Sequence, residues 1–152
     1  MFASYNPTKL VGVLAEKIMG SALETLRTAG LRPTRQRLAL AELLFAFGDR
    51  HISAEQLHAE AAAARVPVSL ATVYNTLNQF TAAGLLREVA IEGDRTYFDT
   101  NTSNHFHYFV EHEKRLFDIE MADLAIAGLP QPPKGLQVSR IDVIVRLKRD
   151  KP

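Results

Sequence analysis

Five histidines and no cysteine set the terms for any metal chemistry in this chain. Two of the histidines, His105 and His107, flank Phe106 in a run that reads as a strand. Alternation along a strand sends both imidazoles to one face, two rises of about 3.3 Å apart. They could share one metal or flank one ligand. A bare histidine pair is more often a packing or surface feature, and three further donors argue against that reading. His51 stands just before a helix, Asp99 closes a hairpin and Asp118 lies on the next strand. Nitrogen and carboxylate donors without thiolate suit Fe(II), Mn(II) or Zn(II). His112, in a turn, and His58, among polar helix positions, read as solvated. The missing cysteines exclude a disulfide framework, a thiolate zinc site, an Fe–S cluster and a cysteine nucleophile.

A second kind of chemistry is carried by arginine and amide side chains. Through residue 99, basic and acidic residues balance at ten each, yet the stretch from Thr25 to Ala41 holds Arg27, Arg32, Arg35 and Arg37 and no acid. Such a patch could grip phosphates on either side of a groove. Taken alone, it is equally well a solvated helix end. The segment after Ser69 tips the balance. Ser69 can cap a helix whose buried stripe is Leu70, Val73, Leu77 and Phe80. Ala71, Thr72, Asn75, Asn78 and Gln79 then fall on the opposite side, with Tyr74 on the flank. A solvated face normally carries Lys and Glu. An uncharged row of Thr, Asn and Gln suits the reading of hydrogen-bonding base edges.

The elements that must position these groups follow from periodicity. Leu10, Leu14, Ile18, Ala22 and Leu26, with Leu23 beside them, predict a first helix up to Gly30. After Pro33 a second helix carries Leu40, Leu43, Leu44 and Phe47 and ends at Gly48. Ser53-Ala54-Glu55-Gln56 fits a capping box for a third helix with Leu57, Ala61 and Ala64, ended by Pro67. The fourth runs from Ser69 to Gly84. The period then changes to two, giving strands Leu86 to Ile91 and Arg95 to Asp99 across the turn Glu92-Gly93-Asp94. Helices followed by a hairpin make a winged-helix plan. Beyond the polar linker Asn101 to Asn104 come strand-like runs His105 to Val110, Leu116 to Ile119 and Val138 to Leu147. A short helix, Met121 to Ala127, and a Pro-rich connector, Gly128 to Gly135, separate the last two. The boundary is placed at residue 100, with a winged-helix DNA-binding domain over 1–100 and an α/β dimerisation domain over 101–152. The fold class is α+β.

With 152 residues, 47% hydrophobic and 23% charged, the chain suits one domain or two small ones and excludes a large multidomain enzyme. Its net charge of +1 gives no bulk preference for nucleic acid, membrane or acidic partners, so any basic patch is local. The one short apolar N-terminal run, Leu10 to Ala15, is bounded by Lys9 and Lys17, and no stretch could cross a bilayer. The expectation is a cytoplasmic protein without a membrane partner.

Leu31-Arg32-Pro33-Thr34-Arg35-Gln36-Arg37, His51-Ile52-Ser53-Ala54-Glu55 and Leu70-Ala71-Thr72-Val73-Tyr74-Asn75-Thr76-Leu77 resemble the ferric uptake regulator (Fur) superfamily, with His105-Phe106-His107 opening its dimerisation domain. The likeness covers roughly residues 20 to 120, with several motifs in the family's order. The absence of cysteine, the Leu116-Phe117-Asp118-Ile119 run and the tail from Leu129-Pro130 to Arg149 look most like the Irr branch, which controls iron and haem genes.

The resemblance implies roles for particular residues. The family's minor-groove basic residue falls on Arg32 and its base-reading tyrosine on Tyr74. The next position, arginine in typical Fur proteins, is Asn75 here, and a change from a guanine-favouring to an adenine-favouring side chain implies a different, AT-rich operator. The DNA-binding set is Arg32, Arg35, Arg37, Ser69, Thr72, Tyr74 and Asn75. The family's regulatory metal site, which joins its two domains, maps onto His51, Asp99, His107 and Asp118 with His105 adjacent, Asp replacing Glu at Asp99 and Asp118. A second family site falls on Asn104, Phe106 and Ala125, which coordinate poorly, and the structural-zinc cysteines fall on Val110 and Glu113. Haem is a further candidate ligand at His105 and His107, although the chain has no Cys-Pro haem motif and has His-Phe-His where many Irr proteins have three histidines.

The sequence thus predicts a homodimeric repressor-type transcriptional regulator of iron and haem genes, binding double-stranded DNA and responding to a divalent metal or haem, with no catalysis. A Fur-like metal or peroxide sensor that never binds haem is the nearer alternative. A metal-dependent hydrolase is the remote one, since it would need a general base and substrate pocket that the spacing does not suggest.

Overall fold

The computed structural model describes residues 20–151. The chain divides into two compact units, Met1–Thr102 and Ser103–Pro152.

The first unit is helical with a small sheet. Residues 20–28 form α1, followed by α2 (Arg35–Phe45), β1 (His51–Ser53), α3 (Ala54–Ala63), α4 (Leu70–Ala82), β2 (Arg87–Ala90) and β3 (Thr96–Asp99). Leu10, Leu14 and Ile18 lie outside the described residues, whereas Ala22 and Leu26 are buried as the stripe predicts. They join Leu40, Ala41, Leu44, Ile52, Leu57, Ala61, Val73, Leu77, Phe80 and Phe98 in one core.

Caps set the helix starts. Thr34 accepts from the Arg37 amide at 3.3 Å to open α2. Ser53 and Gln56 make the reciprocal capping box of α3, at 3.2 and 2.8 Å. Ser69 accepts from the Thr72 amide at 3.1 Å to open α4. Three helices end in the same way, with a left-handed residue after the last turn and a pair of amide bonds running back to the helix carbonyls. Glycine takes that position at Gly30 and Gly84, but Arg65 takes it after α3 with φ 58°, where a side chain costs about 1 kcal/mol.

Three expectations need correction here. Phe47 is 90% exposed rather than part of the α2 stripe, because α2 stops at Phe45 and the chain has left the helix before Phe47. Leu70 is exposed at the first position of α4, and Thr76 takes a buried place on the stripe instead. Ala64 is the exposed cap residue of α3, not a core position.

The sheet order is β1-β3-β2, all antiparallel. β1 is an additional strand that periodicity missed. Its register sets His51 opposite Asp99, and the β2 register sets Arg87 opposite the same Asp99. Alternation turns Ile52 and Phe98 into the helical core and leaves His51 and Asp99 together on the other face.

The second unit contains β4 (Phe106–Val110), β5 (Arg115–Ile119), one 3-10 turn (Met121–Asp123) and β6 (Ile144–Leu147). Its sheet order is β5-β4-β6, with β4 antiparallel to β5 and parallel to β6. The helix expected over Met121 to Ala127 is only that turn. Glu120 gives no side-chain cap, Leu124 is already extended, and Gly128 and Pro130 follow within a few residues. The strand expected over Val138 to Leu147 shortens to its last four residues, since β4 offers pairing positions only from His107 to Val110.

Candidate nucleic-acid interface and metal centre

In the first unit, the DNA-binding candidates lie on the start of α2 and along α4. Ala71, Asn75, Asn78 and Gln79 are exposed, so the outward face of α4 is uncharged as read from the sequence. Arg32 and Arg35 are exposed ahead of and at the start of α2. Arg37 is different. Its Nε and Nη2 donate to Gln79 Oε1 at 3.2 and 2.9 Å, and its Nη1 donates to the Arg32 carbonyl at 2.9 Å. The guanidinium therefore ties the Arg32 segment to the later half of α4.

Ser69 and Thr72 also hold each other, their hydroxyls 2.9 Å apart at the head of α4. Tyr74 donates its hydroxyl to Glu55 Oε1 at 2.8 Å. Arg95, on the β2–β3 turn, sets Nη1 3.9 Å from the other oxygen of Glu55. The Tyr74 hydrogen bond holds the Glu55 carboxyl below the usual carboxylate range and pushes the Tyr74 phenol above its usual range. Gln79 and Glu55 were absent from the sequence-derived site. Gln79 lies on the outward face predicted from the sequence, whereas Glu55 sits between the capping residues Ser53 and Gln56 with no local pattern to join it to a tyrosine on another helix.

The second unit gathers three of the metal-ligand candidates. His105 and His107 are each 2% exposed, their ring centroids 4.5 Å apart, at and beside the start of β4. Asp118 reaches the same face because β5 pairs it with His107. Its Oδ1 lies 3.3 Å from His105 Nε2 and 3.6 Å from His107 Nε2. His105 Nδ1 sits 2.7 Å from the Ser103 carbonyl and donates to it, which leaves Nε2 facing the carboxylate. Two imidazole nitrogens and one carboxylate oxygen converging in this way fit a divalent ion. Phe109 and Leu116, both buried on this face, give the cluster an apolar border.

In the first unit, His51 Nε2 lies 3.2 Å from Asp99 Oδ2, and Asp99 is 1% exposed. The other Asp99 oxygen accepts from the Asn101 amide at 2.9 Å, which aims Oδ2 at the histidine. This pair offers one nitrogen and one oxygen donor. His112 is exposed and His58 half-buried, apart from both donor sets. Among the described residues, no helix is long and apolar enough to cross a membrane.

A helical unit with a β-hairpin and a helix, α4, whose outward face is uncharged, followed by a small sheet carrying a histidine and aspartate cluster, has the α+β plan of a winged-helix DNA-binding domain joined to a dimerisation domain. The profile of the Ferric uptake regulator family matches residues 28–130, and the chain belongs to that family. It is 37% identical over 87 residues to the ferric uptake regulation protein of Vibrio cholerae, covering 57% of this chain and 58% of that relative. The match thus spans less than two thirds of that protein's length. It is 29% identical over 109 residues to the peroxide-responsive repressor PerR of Staphylococcus aureus, covering 72% and 73% of the two chains. Its fold is similar to the Pseudomonas aeruginosa ferric uptake regulator solved with manganese, with TM-score 0.64 and 24% identity over 86% of this chain and 98% of that one.

Proposed function

We propose that this protein is a DNA-binding transcriptional regulator whose DNA contact is made by α4 and the start of α2 and whose response is governed by a divalent metal. The observation that carries the reading is the exposed, uncharged face of α4 in a unit of the family's fold. Asn75 and Tyr74 read base edges, while Arg32 and Arg35 supply phosphate contacts. Arg37, engaged with Gln79, positions α4 and the Arg32 segment instead of reaching for phosphate. The adenine preference of Asn75 favours an AT-rich operator.

His105, His107 and Asp118 would hold the metal, with His51 and Asp99 as further donors. The family likeness, and not the arrangement of the two units, carries the assignment of both donor sets to one ion. Iron, manganese and zinc all accept such nitrogen and oxygen donors. The ion would supply a fixed charge and a geometric tie between ligands. Coupling between metal occupancy and DNA affinity would appear as a metal-dependent change in duplex binding.

A homodimer is supported by the second unit, where Tyr108, Phe117, Leu136, Val138, Ile141 and Leu147 are exposed apolar residues that a second copy could cover. Control of iron and haem genes is the finer reading, supported by the cysteine-free sequence and its likeness to the Irr branch. If haem rather than metal is the ligand, His105 or His107 would hold its iron, and a haem titration of the purified protein would show an imidazole-type Soret band that the His107→Ala variant shifts. The test of the main reading is binding to AT-rich duplex DNA at rising salt. The expected result is affinity that falls linearly on a log–log plot, with a slope near −0.9 per phosphate contacted. Absence of duplex binding at low salt, with manganous ion present, would overturn it.

A further inference from the structure

Glu55 carries a negative charge into the middle of the surface that the preceding section assigns to DNA. Its side chain is 42% exposed, although Oε2 itself is covered and makes no hydrogen bond, so the charge acts on an approaching duplex through short-range electrostatics and not by contact. One carboxylate oxygen accepts from Tyr74 of α4 and the other faces Arg95 of the hairpin turn, at 2.8 and 3.9 Å. Three elements, the head of α3, the recognition helix and the turn between β2 and β3, therefore converge on one acid. A capping role does not require this, because the cap of α3 is already closed by Ser53 and Gln56. An acid within hydrogen-bond distance of a base-reading hydroxyl also lies well inside a Debye length of about 8 to 10 Å from the phosphates that flank that base.

We propose that Glu55 is a specificity-determining residue of the DNA face, acting by two routes. Its charge opposes every phosphate backbone that comes near and engages Arg95, which lowers affinity for all duplexes alike. Its hydrogen bond holds the Tyr74 ring in one orientation, which benefits only the duplex whose bases match that orientation. The two routes together widen the gap between matched and unmatched DNA. The lowered Glu55 and raised Tyr74 titration ranges agree with a charge-assisted bond between them. This inference rests on the DNA-binding reading above.

The routes separate by substitution. Glu55→Gln keeps an acceptor for the Tyr74 hydroxyl but removes the charge, whereas Glu55→Ala removes both. Each full-length variant would be compared with the unmodified chain, in manganous buffer at fixed salt, on two probes. One is a duplex enriched from a random library by the unmodified protein, and the other is a scrambled duplex of the same composition. Both variants are expected to bind the scrambled duplex about threefold to tenfold more tightly, the scale of one unit charge removed at these separations. Glu55→Ala is expected to lose a further several-fold of discrimination that Glu55→Gln retains. Tyr74→Phe, which keeps the carboxylate, should lower discrimination with no rise on the scrambled duplex. If Glu55→Gln binds scrambled DNA no more tightly than the unmodified protein, the charge route is overturned. Equal discrimination by Glu55→Gln and Glu55→Ala would overturn the orienting route. Failure of the unmodified chain to enrich any duplex would instead sink the DNA-binding reading itself, and matching thermal melts of the variants confirm that fold is not the variable.

Discussion

The DNA face of the first unit and the histidine cluster of the second hold their working groups by different means. On the DNA face, Tyr74 and Arg37 are partly solvated, Tyr74 tied by the Glu55 side chain and Arg37 chiefly by the Gln79 side chain with one further bond to the Arg32 carbonyl. In the histidine cluster, His105 and His107 are buried, oriented by strand register against Asp118 and by a backbone carbonyl. Side chains that must meet a variable partner are held by bonds that can be exchanged. Donors that must enclose one small ion are held by backbone, which has no alternative arrangement to offer. Substitutions on the DNA face should therefore change selectivity by degrees, and substitutions in the cluster should act nearly all or none.

The largest effect is expected in the cluster. His107→Ala should weaken Mn(II) binding by about 100-fold or more, since loss of a supporting partner alone costs 10 to 100-fold. Metal-dependent DNA binding should vanish with it. Asn104→Ala, a neighbour without a donor role, should do neither, and equilibrium metal titration beside gel-shift assays checks both. A His105→Ala, His107→Ala double variant with unchanged metal content would erase the contrast between the regions.

On the DNA face, Asn75→Ala should lose about 1 to 3 kcal/mol on the preferred duplex and little on scrambled DNA. Equal losses on both would mean that the exposed amide reads no base.

Arg35→Ala and Arg37→Ala sharpen the distinction within this face. Removing exposed Arg35 should weaken binding to all sequences and reduce the salt slope by about one contact. Removing Arg37, whose donors already serve Gln79 and the Arg32 carbonyl, should weaken binding while leaving the slope nearly unchanged. Salt titrations of both variants decide it.

The smallest effect is spectroscopic. Because its hydroxyl donates to an ionised carboxylate, Tyr74 should lose its proton above the ordinary phenol pKa of about 10, and Glu55→Ala should move that titration back down. Tyr97 should also titrate high, chiefly from burial, and should shift less in the same variant because Glu55 contributes only a minor part there. Residue-resolved NMR of the tyrosine rings across alkaline pH separates the two.

Much of the first unit, and the start of the second, was legible because the signals are local. The capping box of α3, the Ser69 cap and the alternation of His105 and His107 each need only a few neighbouring residues, and each is present. What escaped depends on partners far along the chain. β1 is three residues long and is a strand only because β3 pairs with it. Val138 to Ile141 have the apolar pattern of a strand but no pairing positions on β4. Glu55 stands within the capping-box stretch with no local sign of a further role, and its bond to Tyr74 crosses between helices. Arg37 looked like its neighbours in an arginine patch until Gln79, more than a helix away in sequence, claimed it.

The parallel pairing of β6 with β4 bears on how the protein is made. A parallel neighbour cannot be reached by a tight turn, and here the chain runs from Val110 through β5 and a long connector before Ile144 returns to His107. On the ribosome, helices α2 to α4 and their hairpin can settle as soon as they emerge. The strand bearing His107 waits with one edge open until residues 143–147 are synthesised, when the Val143 carbonyl accepts from the His107 amide at 3.2 Å. Such a late, non-local closure is slow and leaves a bare strand edge in the nascent chain. The α4 face is therefore expected to be ready before the cluster of His105, His107 and Asp118 is assembled, so that any ion this cluster takes up would enter last.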